Sequence, residues 1–143
     1  MLVGGYAVGV HGYVRATTDI DFFYRSTLEN VERLMGAMRT FGAPVELVDA
    51  LHLTAADSVT QMGAPPIRID LLSSLSGVTF DEALADTIRV EVGGEVLPVI
   101  GLAALRQNKR ATKRAKDRDD LRHLPAAPVA PRSSSPKLKR RRD

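Results

Sequence analysis

The stretch Val3-Gly-Gly-Tyr-Ala-Val-Gly-Val-His-Gly-Tyr-Val-Arg-Ala-Thr-Thr-Asp-Ile-Asp-Phe22 carries the reading of this 143-residue chain. Val3 runs into Gly4-Gly5, a dipeptide that marks a tight strand-to-helix turn, and the small and apolar residues that follow suit a short helix capped by Gly12. A strand is therefore expected before Gly4. Only three residues precede it, so the chain begins in what reads as the middle of a strand, and an N-terminal supporting helix is expected to be missing. At the far end, Asp19-Ile-Asp-Phe-Phe-Tyr24 alternates and is rich in β-formers. It predicts a strand with Ile20 and Phe22 on one face and both aspartates on the other.

Two aspartates one residue apart on a strand project the same way, about 6 to 7 Å from each other given the rise per residue. Ionised together they repel and raise one pKa unless a cation neutralises them, and hard oxygen donors favour magnesium or manganese. For the pair alone, the alternative is the exposed face of an edge strand. The Gly-Gly turn adds backbone amides that can approach a phosphate, helped by the partial positive charge of a helix N-terminus. Further on, Ile67-Arg-Ile-Asp-Leu-Leu72 follows Pro65-Pro66 as a second strand. Asp70, in that apolar run, is either a third ligand or an acid on the outward face of a half-buried strand.

Thr27 as N-cap, with Asn30 three residues on, opens an amphipathic helix in which Val31, Leu34, Met35 and Met38 recur at helical spacing up to Gly42. Residues 45–62 read equally as edge strands or loop. Phe80 to Asp86 predicts one or two helical turns, and Ile88 to Val92, Gly93-Gly94 and Glu95 to Val99 predict a hairpin. One long basic helix is expected from Leu102 to Leu124, with Leu105, Ala111 or Thr112, Ala115, Leu121 and Leu124 on its inner side. After Pro125 the composition turns to Pro, Ala, Ser and Lys/Arg, which predicts a disordered tail over 125–143.

With 44% hydrophobic and 26% charged residues, the chain reads as one globular domain over residues 1–124 plus that tail. The absence of cysteine excludes a disulfide framework and a thiolate metal site and favours an intracellular setting, while three scattered histidines are too few for zinc. The apolar first ten residues lack a basic leader and are interrupted by glycines, so no signal peptide is expected. No later run approaches the roughly 20 apolar residues of a membrane span, and the expected location is the cytoplasm. Charge is unevenly spread: residues 1–101 carry 6 Lys/Arg against 13 Asp/Glu, residues 102–143 carry 14 against 4. The basic end is either a surface for a polyanion or a solvated helix face and tail.

These residues resemble the nucleotidyltransferases of the DNA polymerase β-like superfamily, particularly the minimal enzymes and the AbiEii-like abortive-infection type IV toxins. The opening stretch is similar to that group's signature, a Gly-Gly followed by an Arg-x-Thr-x-Asp-Ile-Asp ending, and Lys109-Arg-Ala-Thr-Lys-Arg114-Ala-Lys-Asp117-Arg-Asp-Asp120-Leu is similar to its closing helix. The resemblance implies an α/β (α+β) polymerase β-like nucleotidyltransferase fold, a small mixed sheet flanked by helices. It implies that Asp19 and Asp21 coordinate two metal ions, Mg2+ (or Mn2+), one holding the triphosphate and one activating the acceptor hydroxyl, with Asp70 completing the second site and helping to deprotonate the nucleophile. Gly4 and Gly5 would cradle the β and γ phosphates and Lys109 would contact phosphate from the last helix. Arg15 would contact phosphate or pair with Asp19 or a neighbour. Asp117 and Asp120 are expected to pair with Lys113, Arg114 or Lys116, and Tyr6 and His11 to pack rather than stack on a base.

The implied activity is transfer of a nucleoside monophosphate from a nucleoside triphosphate to a hydroxyl of RNA, such as tRNA, or of a protein, with release of pyrophosphate. The toxin branch further implies an antitoxin partner. A different class of function is also consistent with the sequence: a catalytically inactive, antitoxin-like module that binds nucleic acid or protein.

Overall fold

The computed structural model describes residues 1–128. The elements, in chain order, are β1 (Leu2–Val3), α1 (Gly4–Val10), β2 (Asp19–Phe23), α2 (Leu28–Phe41), a 3-10 turn (Val45–Leu47), α3 (Ala50–Thr54), β3 (Val59–Ala64), β4 (Ile67–Leu72), α4 (Phe80–Ala85), β5 (Ile88–Val92), β6 (Glu95–Val99), α5 (Leu102–Thr112) and α6 (Ala115–His123). Residues 125–128 have no regular structure, and the rest of the expected tail, 129–143, lies outside the described residues.

The six strands form one mixed sheet in the order β3-β4-β2-β1-β6-β5. The short β1 lies inside the sheet, antiparallel to β2 and parallel to β6. β2 and β4 run parallel, and the two hairpins, β3-β4 and β5-β6, close the sheet at either side. The expected mixed sheet flanked by helices is the observed architecture.

Alternation along the strands separates the two faces. Ile20 and Phe22 of β2 stand beside Ile69 and Leu71 of β4, and Thr60 and Met62 of β3 continue the row. Val31 and Met38 of α2 and Leu53 of α3 are buried against this apolar face. Burying each such side chain contributes roughly 1.5–3 kcal/mol. Asp19, Asp21, Arg68 and Asp70 alternate onto the opposite face. A second core beneath α1 and α5 joins Val3, Val8, Phe23, Val99 and Leu105.

Local chemistry accounts for most boundaries. The backbone of Gly42 is left-handed (φ 87°) where α2 ends, and its N–H bonds back into the last turn. Thr27 occupies the N-cap position, but its side chain makes no capping bond; Asn30 Nδ2 donates instead to the Arg25 carbonyl at 2.8 Å. α4 starts with a capping box between Thr79 and Glu82. Gly93 and Gly94, both at positive φ, form the tight β5-β6 turn. The ambiguous region 45–62 resolves into the 3-10 turn, α3 capped by Asp49 on the Leu51 N–H, and β3.

The expected single helix over 102–124 is two. α5 ends where Lys113 adopts a left-handed backbone (φ 57°), Arg114 is extended, and α6 then packs back beside α5. The break brings Asp117 and Asp120 over Lys109, ion pairing that a continuous helix, with these residues eight and eleven positions apart, could not provide. Of the residues expected inward, Leu105 and Leu124 are buried, whereas Ala111 and Ala115 are exposed. No helix among the described residues is long and apolar enough to cross a membrane.

Candidate metal and nucleotide site

Parallel pairing of β2 and β4 sets Asp19 opposite Arg68 and Asp21 opposite Asp70. Because every second residue faces the same way, these four side chains form a square with three acids and one base at its corners. One oxygen from each of Asp19, Asp21 and Asp70 can be chosen so that all three lie within 4.8 Å of one another. Three hard carboxylate oxygens at that separation fit a divalent cation such as magnesium or manganese.

The three acids differ in what already holds them. Asp70 accepts from Arg68 Nε at 2.8 Å and Nη2 at 3.0 Å, and from Gln61 Nε2 at 3.3 Å. Asp19 accepts from Arg68 Nη2 at 2.8 Å and from the Thr17 hydroxyl at 3.1 Å. Asp21 accepts no side-chain hydrogen bond among the described residues. Burial, together with the charges of Asp19 and Asp70, pushes its carboxyl up from 3.8 to about 6, against the weaker pull of Lys116 and Lys109.

Gly4 sits directly against this acid. Its φ is +67°, and a Cβ there would come within 2.0 Å of Asp21 Oδ2. A Cβ on Gly5 would meet Thr17 Oγ1 at 2.9 Å. The glycines are thus demanded by the carboxylate and threonine beneath them, in addition to any phosphate approach the turn allows.

The acid-bearing face opens into a cleft of about 650 Å³, with the Gly4-Gly5 turn on one side and α5 and α6 on the other. The loop forming a third wall is tied to α5: Asn108 Nδ2 donates to the Ser76 carbonyl at 3.0 Å and Gln107 Nε2 to that of Gly77 at 2.6 Å.

The structure places Lys109 on the cleft wall but only 3% exposed, its ammonium 2.7 Å from Asp117 Oδ1 and 2.9 Å from Asp120 Oδ2. Both aspartates are fully buried. Burial pushes the Asp117 carboxyl up, but hydrogen bonds from Lys109, Thr112 and Arg114 outweigh it and hold the group at about 2. For Asp120, burial is likewise outweighed by Arg15 and Lys109, and its carboxyl lies below the usual range. The expected partners therefore need correction: Arg114 does pair with Asp117, at 2.7 Å, but the principal cations are Lys109 and Arg15, while Lys113 and Lys116 make no ion pair among the described residues. Both prove closer in space than any lysine at helical spacing because α6 folds back.

Arg15 pairs with Asp120 through Nε at 2.6 Å and Nη2 at 2.8 Å, not with Asp19. Its Nη1 donates to the Ala16 carbonyl at 3.2 Å and lies near Gly5 on the cleft side. His11 packs as expected, with Nε2 2.8 Å from the Ile100 carbonyl oxygen. Tyr6 does not: it is 47% exposed and lies away from the cleft.

Sequence reasoning missed Arg68 and gave Lys116 only a structural part. The signal for Arg68 was present, since Arg68-x-Asp70 repeats on β4 the spacing of Asp19-x-Asp21 on β2. Lys116 lines the cleft, is exposed, and is the largest single charge pulling Asp21 down. No protein-family model and no curated protein matches this chain.

Proposed function

We propose that the chain is a divalent-cation-dependent nucleotidyltransferase, which transfers a nucleoside monophosphate from a nucleoside triphosphate to a hydroxyl acceptor and releases pyrophosphate. The observation that carries this reading is the three-carboxylate face of β2 and β4, opening into a cleft rimmed by Arg15, Arg68, Arg114 and Lys116. Acids alone suit a metal and bases alone suit a phosphate; both in one cleft suit a metal-bound polyphosphate.

Magnesium or manganese held by Asp19, Asp21 and Asp70 would polarise the phosphoryl group and lower the pKa of the acceptor hydroxyl. The chain's own residues supply the rest. The Gly4-Gly5 turn offers backbone N–H groups to the phosphates. Lys116, exposed on the rim, is the mobile cation suited to grip the leaving pyrophosphate, and Arg114, anchored through its Nε on Asp117, adds fixed positive charge beside it. Lys109 acts one step back, by fixing Asp120 and so the Arg15 guanidinium beside Gly5. Arg110, Lys113, Arg118 and Arg122 add exposed positive charge on α5, α6 and the turn between them, which supports RNA as the acceptor. An antitoxin partner is part of the same proposal, on the resemblance alone.

One observation favours a second reading, a catalytically inactive binding module: Arg68 already neutralises two of the three acids. The test is incubation with Mg2+ or Mn2+, each labelled nucleoside triphosphate in turn, and total RNA, beside an Asp19→Ala/Asp21→Ala protein. Label on RNA or protein that vanishes in the double variant supports transfer. No label with any of the four, from a folded protein, favours the binding module.

A further inference from the structure

The fourth corner of the carboxylate square is filled by the chain itself. Arg68 stands where a cation would neutralise Asp19 and Asp70, and three hydrogen bonds of 2.8–3.0 Å hold it there. Its side chain remains 24% exposed at the cleft. The cross-strand neighbour of Arg68 on β3 is Gly63, so no side chain stands directly opposite it on that strand. A guanidinium and a divalent cation draw on the same carboxylate lone pairs, so each weakens the other's hold. A guanidinium released from carboxylates pairs equally well with phosphate oxygens, for which its planar fork is matched.

We propose that Arg68 is a displaceable internal counter-cation: without metal it occupies Asp19 and Asp70, and when a metal-bound triphosphate enters, it yields the carboxylates to the metal and transfers to a phosphate oxygen. The inference rests on the metal-and-nucleotide reading above. It also accounts for three acids sharing one face: Arg68 pairs with Asp19 and Asp70, and Asp21 is the one it leaves without a cation partner among the described residues. Arg68 is thus a positioning residue in the free protein and a phosphate contact in the loaded one.

The test measures Mn2+ binding to the full chain by the electron paramagnetic resonance of free Mn2+, with and without a non-hydrolysable triphosphate, for wild type, Arg68→Ala, Arg68→Lys and Asp21→Asn. Without nucleotide, Arg68→Ala is expected to bind Mn2+ about tenfold more tightly than wild type, within the range usual for coupled sites. With nucleotide it is expected to bind the Mn2+-triphosphate about tenfold more weakly. A residue that merely supported the fold would weaken both when removed. Arg68→Lys keeps the charge but loses the planar fork and should lie between wild type and Arg68→Ala in both; should Arg68→Ala fail to fold by circular dichroism, Arg68→Gln replaces it. Mn2+ binding by wild type with no gain in the neutral variant overturns this inference alone. Mn2+ binding by none of the proteins overturns it together with the metal reading, and binding unaffected by Asp21→Asn places the metal elsewhere and does the same.

Discussion

Replacing Lys109 with methionine distinguishes support of the fold from direct contact with phosphate. Methionine keeps most of the volume and removes the charge, leaving Asp117 and Asp120, both fully buried, without their shared ammonium. Removing one partner of a buried ion pair costs about 3–5 kcal/mol, because the remaining charge stays desolvated. Here Arg114 and Thr112 still hold Asp117, and Arg15 still holds Asp120. The lower end, about 3 kcal/mol, is therefore expected. Domains of this kind have about 5–15 kcal/mol in total, and with a urea slope of about 2 kcal/mol per molar the midpoint should fall by about 1.5 M. Urea titration followed by far-ultraviolet circular dichroism at pH 7 measures it. A second variant, Lys109→Met/Asp120→Asn, should lose less than the two single losses together, since the partners act on each other. The pH dependence has a defined sign. Asp117 is held at about 2 against an ordinary 3.8, so the stability it contributes is present above 3.8 and lost as pH falls toward 2, where the gap between wild type and Lys109→Met should close. A Lys109→Met protein within about 0.5 kcal/mol of wild type that no longer binds triphosphate would refute this reasoning. Lys109 would then be the direct phosphate contact that the resemblance implied.

Asp21 gives the opposite pH behaviour. Its folded pKa of about 6 exceeds the ordinary 3.8, so the wild type loses stability as pH rises through that interval. Without divalent cations, Asp21→Asn should melt with wild type at pH 4 and be more stable at pH 8, by on the order of 1 kcal/mol once partial exposure is discounted; a less stable variant at pH 8 would show that burial does not penalise this carboxylate. Among the glycines, Gly4→Ala meets both a left-handed backbone and Asp21, and should destabilise by at least about 2 kcal/mol. Gly9→Ala, with nothing within 4 Å of the added Cβ, should stabilise α1 by about 0.5–1 kcal/mol. Thermal melts of the two proteins side by side check both, and equal losses would remove the packing explanation for Gly4.

Elements whose signal is local were legible before folding was considered. Asp19-Ile-Asp-Phe-Phe and Ile67-Arg-Ile-Asp-Leu-Leu show the period of two of a strand with unlike faces, and both are strands. Gly93-Gly94 marked its hairpin because two successive positive φ angles suit glycine. The end of α5 carried no such mark: Lys113 takes a left-handed backbone with neither glycine nor proline nearby, and the return of α6 is stabilised by Lys109, Asp117 and Asp120 rather than by local propensity.

The sequence by itself determined which residues share a strand face, and so that Asp19 and Asp21 project together, because alternation depends only on neighbours along the chain. Which strand lies beside which, and in what register, was settled only in three dimensions. Pairing Asp21 with Asp70 and Asp19 with Arg68 joins residues 49 apart in sequence, and a slip of one position would have sent Arg68 and Asp70 to the apolar face under α2. The same long-range packing took Lys109 out of solvent and left Lys116 at the rim of the cleft. Side-chain identity is written in the chain, but whether a charge meets a ligand or another charge depends on partners that only folding brings within reach.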